Sequence, residues 1–461
     1  MVEKETFALA LQHHKKKSYK IAEDLYEELL KKNPYHFEVI FLLGSIQIQT
    51  KNFIKATQLL KKATQIQSNH KSTHNYLGIA FYKLGELQKA KSCYEKSIQI
   101  DPNYAEAHNN LGIVFKELGE FQKAISCHEK AIQINPNFAE AHNNLGIVFK
   151  ELGELQKAIS CHEKGIQIDP NNSDAFNSLG TVFGVLGELQ KAKSCYEQSI
   201  QINPSNLDPY WNLHSHALDF DEALNILIKL NDIDNTFIKA KIMISALKGF
   251  KGKFEDFDTL IRSSESNHPM MRSIKWVFSL PKIPKIFFNR WDFFDVVVAQ
   301  TDKSRPFYEF GVWNGISFKH LIKTFKKGFG FDTFTGIPED WHNKPSGSYS
   351  SFGSVPQIKG GEFIVGKFEN TLPNFFSQKR PMASLVNFDA DLYTSTLCAL
   401  NYSNKVIDEK SILIFDEFLM NDNWEKDEYK ALNEFCDSLS ISYDVIAVSF
   451  YSKQVAIKLK K

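Results

Sequence analysis

Through the first 206 residues, small and apolar positions return every 34 residues. Ala22, Ala56, Ala90, Ala124, Ala158 and Ala192 mark one position, and Leu43-Gly44, Leu77-Gly78, Leu111-Gly112, Leu145-Gly146 and Leu179-Gly180 mark a second. Pro34, Pro102, Pro136, Pro170 and Pro204 mark a third, with Ser68 in the one slot lacking proline. Small residues at a close helix approach, an apolar stripe and a helix-closing proline predict stacked helix hairpins. Six units fit between Glu3 and Asn206, and a degenerate seventh begins at "DPYWNLHSHALDFDEALNILIKL". Beyond Asn231 the period fails, but helical patterning continues through "FIKAKIMISALKGFKGKFEDFDTLIRSS", read as an irregular closing hairpin. Pro281 and Pro284 punctuate the chain there. The expected division is 3–206 for six repeats, 207–280 for a degenerate helical cap, and 281–461 for a second domain.

From Arg305 the pattern changes to short apolar runs separated by amphipathic segments. "PFYEF", "GFGFDTF", "EFIVGKF", "ASLVNFDADLY" and "SILIFDEF" read as five strands, and "SYDVIAVSF" and "QVAIKLK" as two more. The alternation predicts a doubly wound sheet. The last two strands, joined by "YSK", must form an antiparallel hairpin.

Composition narrows the function. Lys and Arg number 55 against 54 Asp and Glu, so no overall field draws the chain to nucleic acid or an anionic membrane. No run of about 18 apolar residues occurs, so no membrane span is expected. The N-terminus "MVEKETFALALQHHKKKSYK" is charged and has no apolar signal core, which makes a cytoplasmic location the expectation. Four of the six cysteines (Cys93, Cys127, Cys161 and Cys195) follow the 34-residue period, so they are repeat positions rather than a metal or disulfide cluster.

The repeat closely resembles the tetratricopeptide repeat (TPR). His74, His108 and His142 share one repeat position and are expected to pack at a helix crossing. Asn110, Asn144 and Asn212 precede the repeat leucine, on the face that lines the groove in TPR proteins. The repeats resemble those of O-linked N-acetylglucosamine transferase, where similar asparagines grip an extended peptide, so a protein or peptide partner is implied. Ser178 and Tyr76 interrupt this ladder, and solvated polar surface is the alternative reading.

The second half resembles class I S-adenosylmethionine (SAM) methyltransferases, whose parallel sheet ends in such a hairpin. The stretch from Glu309 to Ser317, "EFGVWNGIS", is similar to their first motif, with Gly311 for a tight turn and Gly315 for close approach at a helix start. Asp332 follows the second strand, where the resemblance implies an acid on the ribose. In that sheet order Asp389 and the Asp416-Glu417 pair end neighbouring strands. Three converging acids with no Lys or Arg nearby in sequence would repel one another, which points to a divalent cation such as Mg²⁺. Asp391 is assigned to the cofactor. The blocks "FGFDTFTGIPEDW", "GKFENTLPNF", "FDADLYTST" and "IFDEF" are similar, in order, to the macrocin O-methyltransferase (TylF/MycF-like) family. That resemblance implies SAM- and Mg²⁺-dependent methylation of a sugar hydroxyl. It assigns SAM contacts to Glu309, Gly311, Gly315, Ser317, Asp332 and Asp391, and metal contacts to Asp389, Asp416 and Glu417. His342, in a Gly/Ser-rich loop read as a lid, is the candidate base. Two alternatives stay open: an inactive methyltransferase-like domain on a TPR scaffold, and a protein methyltransferase that grips its substrate in the groove.

Overall fold

The computed structural model describes residues 2–342 and 346–460. The chain divides into two compact units, Met1–Lys150 with Gln156–Pro170, and Glu151–Leu155 with Asn171–Lys461. Among the described residues, no helix is long and apolar enough to cross a membrane. Among the described residues no disulfide joins any of the six cysteines.

The first unit is built of helix hairpins: Val2–Lys15 with Tyr19–Lys32, Phe37–Gln49 with Phe53–Ile66, Lys71–Lys83 with Leu87–Ile100, Ala105–Glu117 with Phe121–Ile134, and Ala139–Glu151 with Leu155–Ile168. The repeat glycines explain the close helix approach within each pair. A methyl group at Gly112 would lie 2.6 Å from the His128 ring, and one at Gly146 would lie 2.7 Å from His162. Tyr94 fills the same slot beneath Gly78. His128 and His162 are fully buried, and Nδ1 of each lies within hydrogen-bond distance of an asparagine oxygen, on Asn109 (3.0 Å) and Asn143 (2.7 Å). Burial pushes the His128 imidazole down to about 3 and His162 down to about 4. His74, His108 and His142 gain a polar contact that the repeat pattern did not announce. All three are partly buried, His142 with its Cβ against Gly165 of the paired helix, and each places Nε2 near the carbonyl of the proline slot six residues earlier, at 2.8, 3.0 and 3.2 Å.

Apart from the turn segment Glu151–Leu155, the second unit begins with the sixth hairpin, Ser173–Leu186 and Leu189–Ile202, and continues through Leu207–His214 with Phe220–Ile233, Ile238–Phe250 with Glu255–Ile261, and Pro269–Ser279. The sheet strands are β1 (Lys285–Phe287), β2 (Phe307–Phe310), β3 (Gly328–Asp332), β4 (Gly361–Val365), β5 (Leu385–Phe388), β6 (Ile412–Phe415), β7 (Ser442–Ser449) and β8 (Gln454–Lys460). Their order is β1-β7-β8-β6-β5-β2-β3-β4. Only β8 runs antiparallel, against β6 and β7, so the closing hairpin is as read from the sequence. The extra edge strand β1 was not anticipated, because three residues carry no detectable alternation.

The boundary expected near Pro281 is not a division of the structure. Leu227, Leu230, Met243, Leu247, Ile274 and Val277 share one core with Phe310, Phe388, Phe415 and Val455 of the sheet. The opposite sheet face packs Phe307, Leu385 and Ile412 against Phe293, Phe294, Phe318 and Leu321. Across the middle of the sheet run four stacked rings. Phe331–Phe310, Phe310–Phe388 and Phe388–Phe415 have centroids 4.7, 5.4 and 4.8 Å apart, with interplanar angles of 15° or less.

The repeat geometry makes two predictions. The turn between paired helices is left-handed at Gly85, Gly119, Gly153 and Gly187, but the first two repeats place Lys17 (φ 60°) and Lys51 (φ 62°) there. Lys51→Gly should stabilise the repeat array by up to about 1 kcal/mol, read as a rise in the denaturation midpoint. The buried imidazoles bind their proton only in the unfolded chain between their ordinary value of 6.5 and the folded values near 3 and 4. Stability is therefore present above about pH 6.5 and lost as pH falls, by about 2 kcal/mol per histidine at pH 5. His128→Tyr with His162→Tyr, the ring that Tyr94 uses, should flatten the fall in melting temperature between pH 7 and pH 5.

Candidate functional site

The parallel register brings the expected residues to one edge of the sheet. Phe310, Phe388 and Phe415 are paired across β2, β5 and β6, so Gly311, Asp389 and Asp416 follow side by side. Backbone bonds extend the ladder past the strand ends, from Asp389 N to Phe310 O and from Asp416 N to Phe388 O, both 2.8 Å. A cavity of about 420 Å³ opens there. Its lining includes Gly311, Ser317, Asp332, Asp389, Asp391, Asp416 and Glu417. Trp313, Asp391 and Glu417 have φ of 51°, 59° and 49°, left-handed values held by the turns that leave these strands.

Cations from segments distant in sequence meet the acids in space. Arg290 Nη2 donates to Asp416 Oδ2 at 2.5 Å, reaching across 126 residues of sequence. Lys453 Nζ donates to Glu417 Oε2 at 2.7 Å, and Asn421 Nδ2 reaches the same oxygen at 2.8 Å. Burial opposes the charge on Arg290, but Asp416, Asp389 and Glu417 outweigh it and hold the guanidinium above its ordinary value. Asp389 is raised well above the usual carboxylate range by burial and by Asp416, against the opposing effect of Arg290. Asp391 is raised by burial and then by Glu417 and Asp416. Oδ1 of Asp416 is buried with no hydrogen-bond partner in the structure. Among the described residues, no three His, Cys, Asp or Glu side chains are grouped to hold a metal ion. The expected Asp389, Asp416 and Glu417 set is therefore split by its own ion pairs: Glu417 is turned to Lys453, and Asp416 to Arg290.

The glycine loop is anchored by Asp332. Its Oδ2 accepts from the backbone N–H groups of Val312 and Trp313, both at 2.7 Å, and Oδ1 accepts from Phe334 at 2.6 Å. A carboxylate offers about four acceptor positions, so this clamp leaves about one for a ligand. At Gly311 (φ 89°) a methyl group would sit 1.7 Å from the Asp389 carbonyl oxygen. Gly315 (φ 74°) starts the helix Ile316–Leu321 and packs against Pro356 and Ile358. Glu309 is not in the cavity lining. It is fully buried, takes a hydrogen bond from Asn387 Nδ2 at 2.9 Å, and burial pushes its carboxyl up to about 7. Its role is to tie β2 to β5 beneath the site. Trp313 Nε1 and the Asn314 amide are buried polar atoms without partners in the structure.

Three candidates lie elsewhere. His342 does not line the cavity; its Nε2 sits 2.8 Å from Asp427 Oδ2, beside Trp341, which removes it as the base. The loop expected to act as a lid includes residues 343–345, outside the described residues. Its flanks pair with each other through Ile337, Gly347 and Ser348, and contribute Ile337 and Tyr349 to the cavity. The asparagines are spent on one another: Asn110 Nδ2 donates to Asn75 (3.0 Å), Asn144 to Asn109 (3.1 Å) and Asn212 to Asn177 (2.9 Å). Asn212 Oδ1 also accepts from Tyr451, so this residue braces the β7–β8 turn.

Residues that sequence reasoning missed form the remaining wall. Thr181, Gly184, Tyr196, Ser215 and His216 come from the sixth and seventh hairpins, and Asn289, Arg290, Trp291 and Tyr451 from the sheet region. His216 Nε2 is buried without a partner, and Trp291 Nε1 donates to Gly184 O at 2.8 Å. Their only sequence signal was the loss of the repeat pattern around "HSHALDF" and "NRWDFF".

Comparison with known proteins establishes the repeats. Models described as tetratricopeptide repeat match residues 78–119, 105–138, 139–172 and 173–206. A model described as anaphase-promoting complex, cyclosome, subunit 3 matches residues 15–97. The N-terminal part of the chain is thus a TPR array. No curated protein matches the chain. Solved structures similar to it include MamA, 25% identical with a TM-score of 0.33 over 36% of this chain and 96% of that one. A thermophilic TPR protein of Thermus thermophilus is 22% identical, with a TM-score of 0.36 over 39% and 98%. A TPR protein of Parabacteroides merdae is 16% identical, with a TM-score of 0.45 over 52% and 97%.

The Asp332 clamp generates a prediction. Asp332→Ala removes three hydrogen bonds to a charged group, each worth about 1.5–3 kcal/mol. The expected result is a loss of at least about 3 kcal/mol from the second unit, with the first unit's helical transition unchanged, as followed by calorimetry and circular dichroism.

Proposed function

We propose that the second unit is a SAM-dependent O-methyltransferase acting on a hydroxyl of a small saccharide-like acceptor, with the TPR array available to a protein partner. The observation that carries this reading is the alignment of Gly311, Asp332, Asp389, Asp391 and Asp416 around one cavity, at the carboxyl ends of adjacent parallel strands. Ligands of open parallel sheets collect in that crevice.

The residues present fit the cofactor. The cavity wall at Gly311 has no room for a side chain, and the unpartnered Trp313 and Asn314 groups are available to a ligand. Gly311, Val312 and Trp313 would lie against it, with the remaining acceptor position of Asp332 for a ribose hydroxyl and Asp391 nearby. When bound, SAM supplies an electrophilic methyl group on a cationic sulfonium. With SAM bound, Asp389 would take up the proton that the acceptor hydroxyl gives up on methylation. Arg290 orients the adjacent Asp416 through the hydrogen bond to its Oδ2. Thr181, Tyr196, Ser215, His216 and Tyr451 surround the acceptor with hydroxyl and imidazole groups, and Trp291 offers an apolar face. The enclosing wall and the self-paired asparagines favour a small acceptor over a peptide threaded along the groove.

Equilibrium dialysis of the full chain against radiolabelled SAM should show saturable binding of one molecule per chain. Asp391→Asn should weaken it, whereas Asn110→Ala with Asn144→Ala should not. Label should then pass to small saccharides and not to peptides. Absence of SAM binding to the folded chain would leave a TPR scaffold with an inactive second unit.

A further inference from the structure

We propose that Arg290 is the built-in counter-ion of the Asp389–Asp416 pair, and that this site operates without a divalent cation. Charge balance is the first argument. The site's acids already have two cations: Arg290 on Asp416 Oδ2 at 2.5 Å, and Lys453 on Glu417 Oε2 at 2.7 Å. A hard dication entering between Asp389 and Asp416 would face the guanidinium within the same low-dielectric site, where like charges repel strongly. Oδ2 of Asp416, one of its two carboxylate oxygens, already accepts a charge-assisted hydrogen bond from Arg290.

The second argument is that Arg290 is held in place from both sides. Asn289 caps the helix Arg290–Val298, its Oδ1 accepting from Trp291 N at 3.1 Å and Asp292 N at 2.9 Å. On the other flank, the indole of Trp291 is tied to the Gly184 carbonyl. A side chain delivered by a capped helix start is a fixture of the fold rather than a surface arginine that happened to fold inward. Third, Glu417 is turned toward Lys453 and Asn421, which share its Oε2. Arg290 lines the cavity, and its remaining N–H donors present positive charge to an acceptor oxygen where a metal would otherwise do so. The role in turnover rests on the methyl-transfer reading; the metal-free claim does not.

Mn²⁺ binding to the full chain, followed by the electron paramagnetic resonance signal of the free aqua ion, tests the claim without using activity. It should be run with and without S-adenosylhomocysteine. The wild-type chain should leave the free Mn²⁺ signal undiminished. Arg290→Met, which keeps length and removes charge, should gain one saturable Mn²⁺ site, more than about tenfold tighter than wild type, and Asp389→Asn added to it should abolish that gain. Stoichiometric Mn²⁺ uptake by the wild-type chain that disappears in Asp389→Asn would overturn the proposal. A folded Arg290→Met variant that gains no Mn²⁺ would overturn the role of Arg290. The wild-type titration decides the metal-free claim even if the methionine variant fails to fold. Loss of the methyl-transfer reading would show instead as absent SAM binding, a separate measurement.

Discussion

The row of stacked phenylalanines is the constraint on which the site depends. Phe331, Phe310, Phe388 and Phe415 are the ring residues nearest the carboxyl ends of β3, β2, β5 and β6, and their rings stack in sequence. Each such contact is worth about 0.5–1.5 kcal/mol beyond the area it buries. Their larger effect is on register, because a slip of one residue would turn the whole row out of the core. With the rings aligned, the next residue on each strand, Asp332, Gly311, Asp389 and Asp416, must fall at one edge. The functional row is the aromatic row displaced by one position.

That edge concentrates negative charge, and the fold supplies the remedy from distant segments. Arg290 comes from the start of a helix before β2, and Lys453 from the turn between β7 and β8. Glu428, buried at the start of the helix Glu428–Leu439, is pushed well above its ordinary value by burial and by Asp416, Asp391 and Asp389. The left-handed backbones of Trp313, Asp391 and Glu417 cluster at the same edge. Strained backbone and buried charge gathered in one cleft are what a binding site retains and a purely structural core would discard.

The boundary between repeat array and sheet is also a consequence of burial. Hairpins from Ser173 onward share a compact unit with the sheet, and the helices through Ser279 share its core. The last hairpins of the repeat type therefore have two roles, one as repeat and one as cavity wall. Asn212 shows this locally: the repeat places it on a ladder with Asn177, and the sheet domain claims its oxygen through Tyr451.

The repeat period, the helix hairpins, the closing antiparallel pair and the grouping of Gly311, Asp389 and Asp416 were all legible in the chain, because each depends on local periodicity or on residues ending adjacent strands. Asp332 was legible as a site residue, but its clamp on the loop was not, since backbone donors leave no mark in a sequence. His342 was misread because a loop histidine gives no hint of Asp427, 85 positions away. Asp416 and Glu417 read as acids without cations because the search for cations ran along the sequence, whereas salt bridges form through space. The sequence by itself determined which segments are helix or strand and which acids end the strands. Only the tertiary structure decided which cation each acid meets and which hairpins wall the cavity, because charge pairing and burial depend on distances that chain order does not encode.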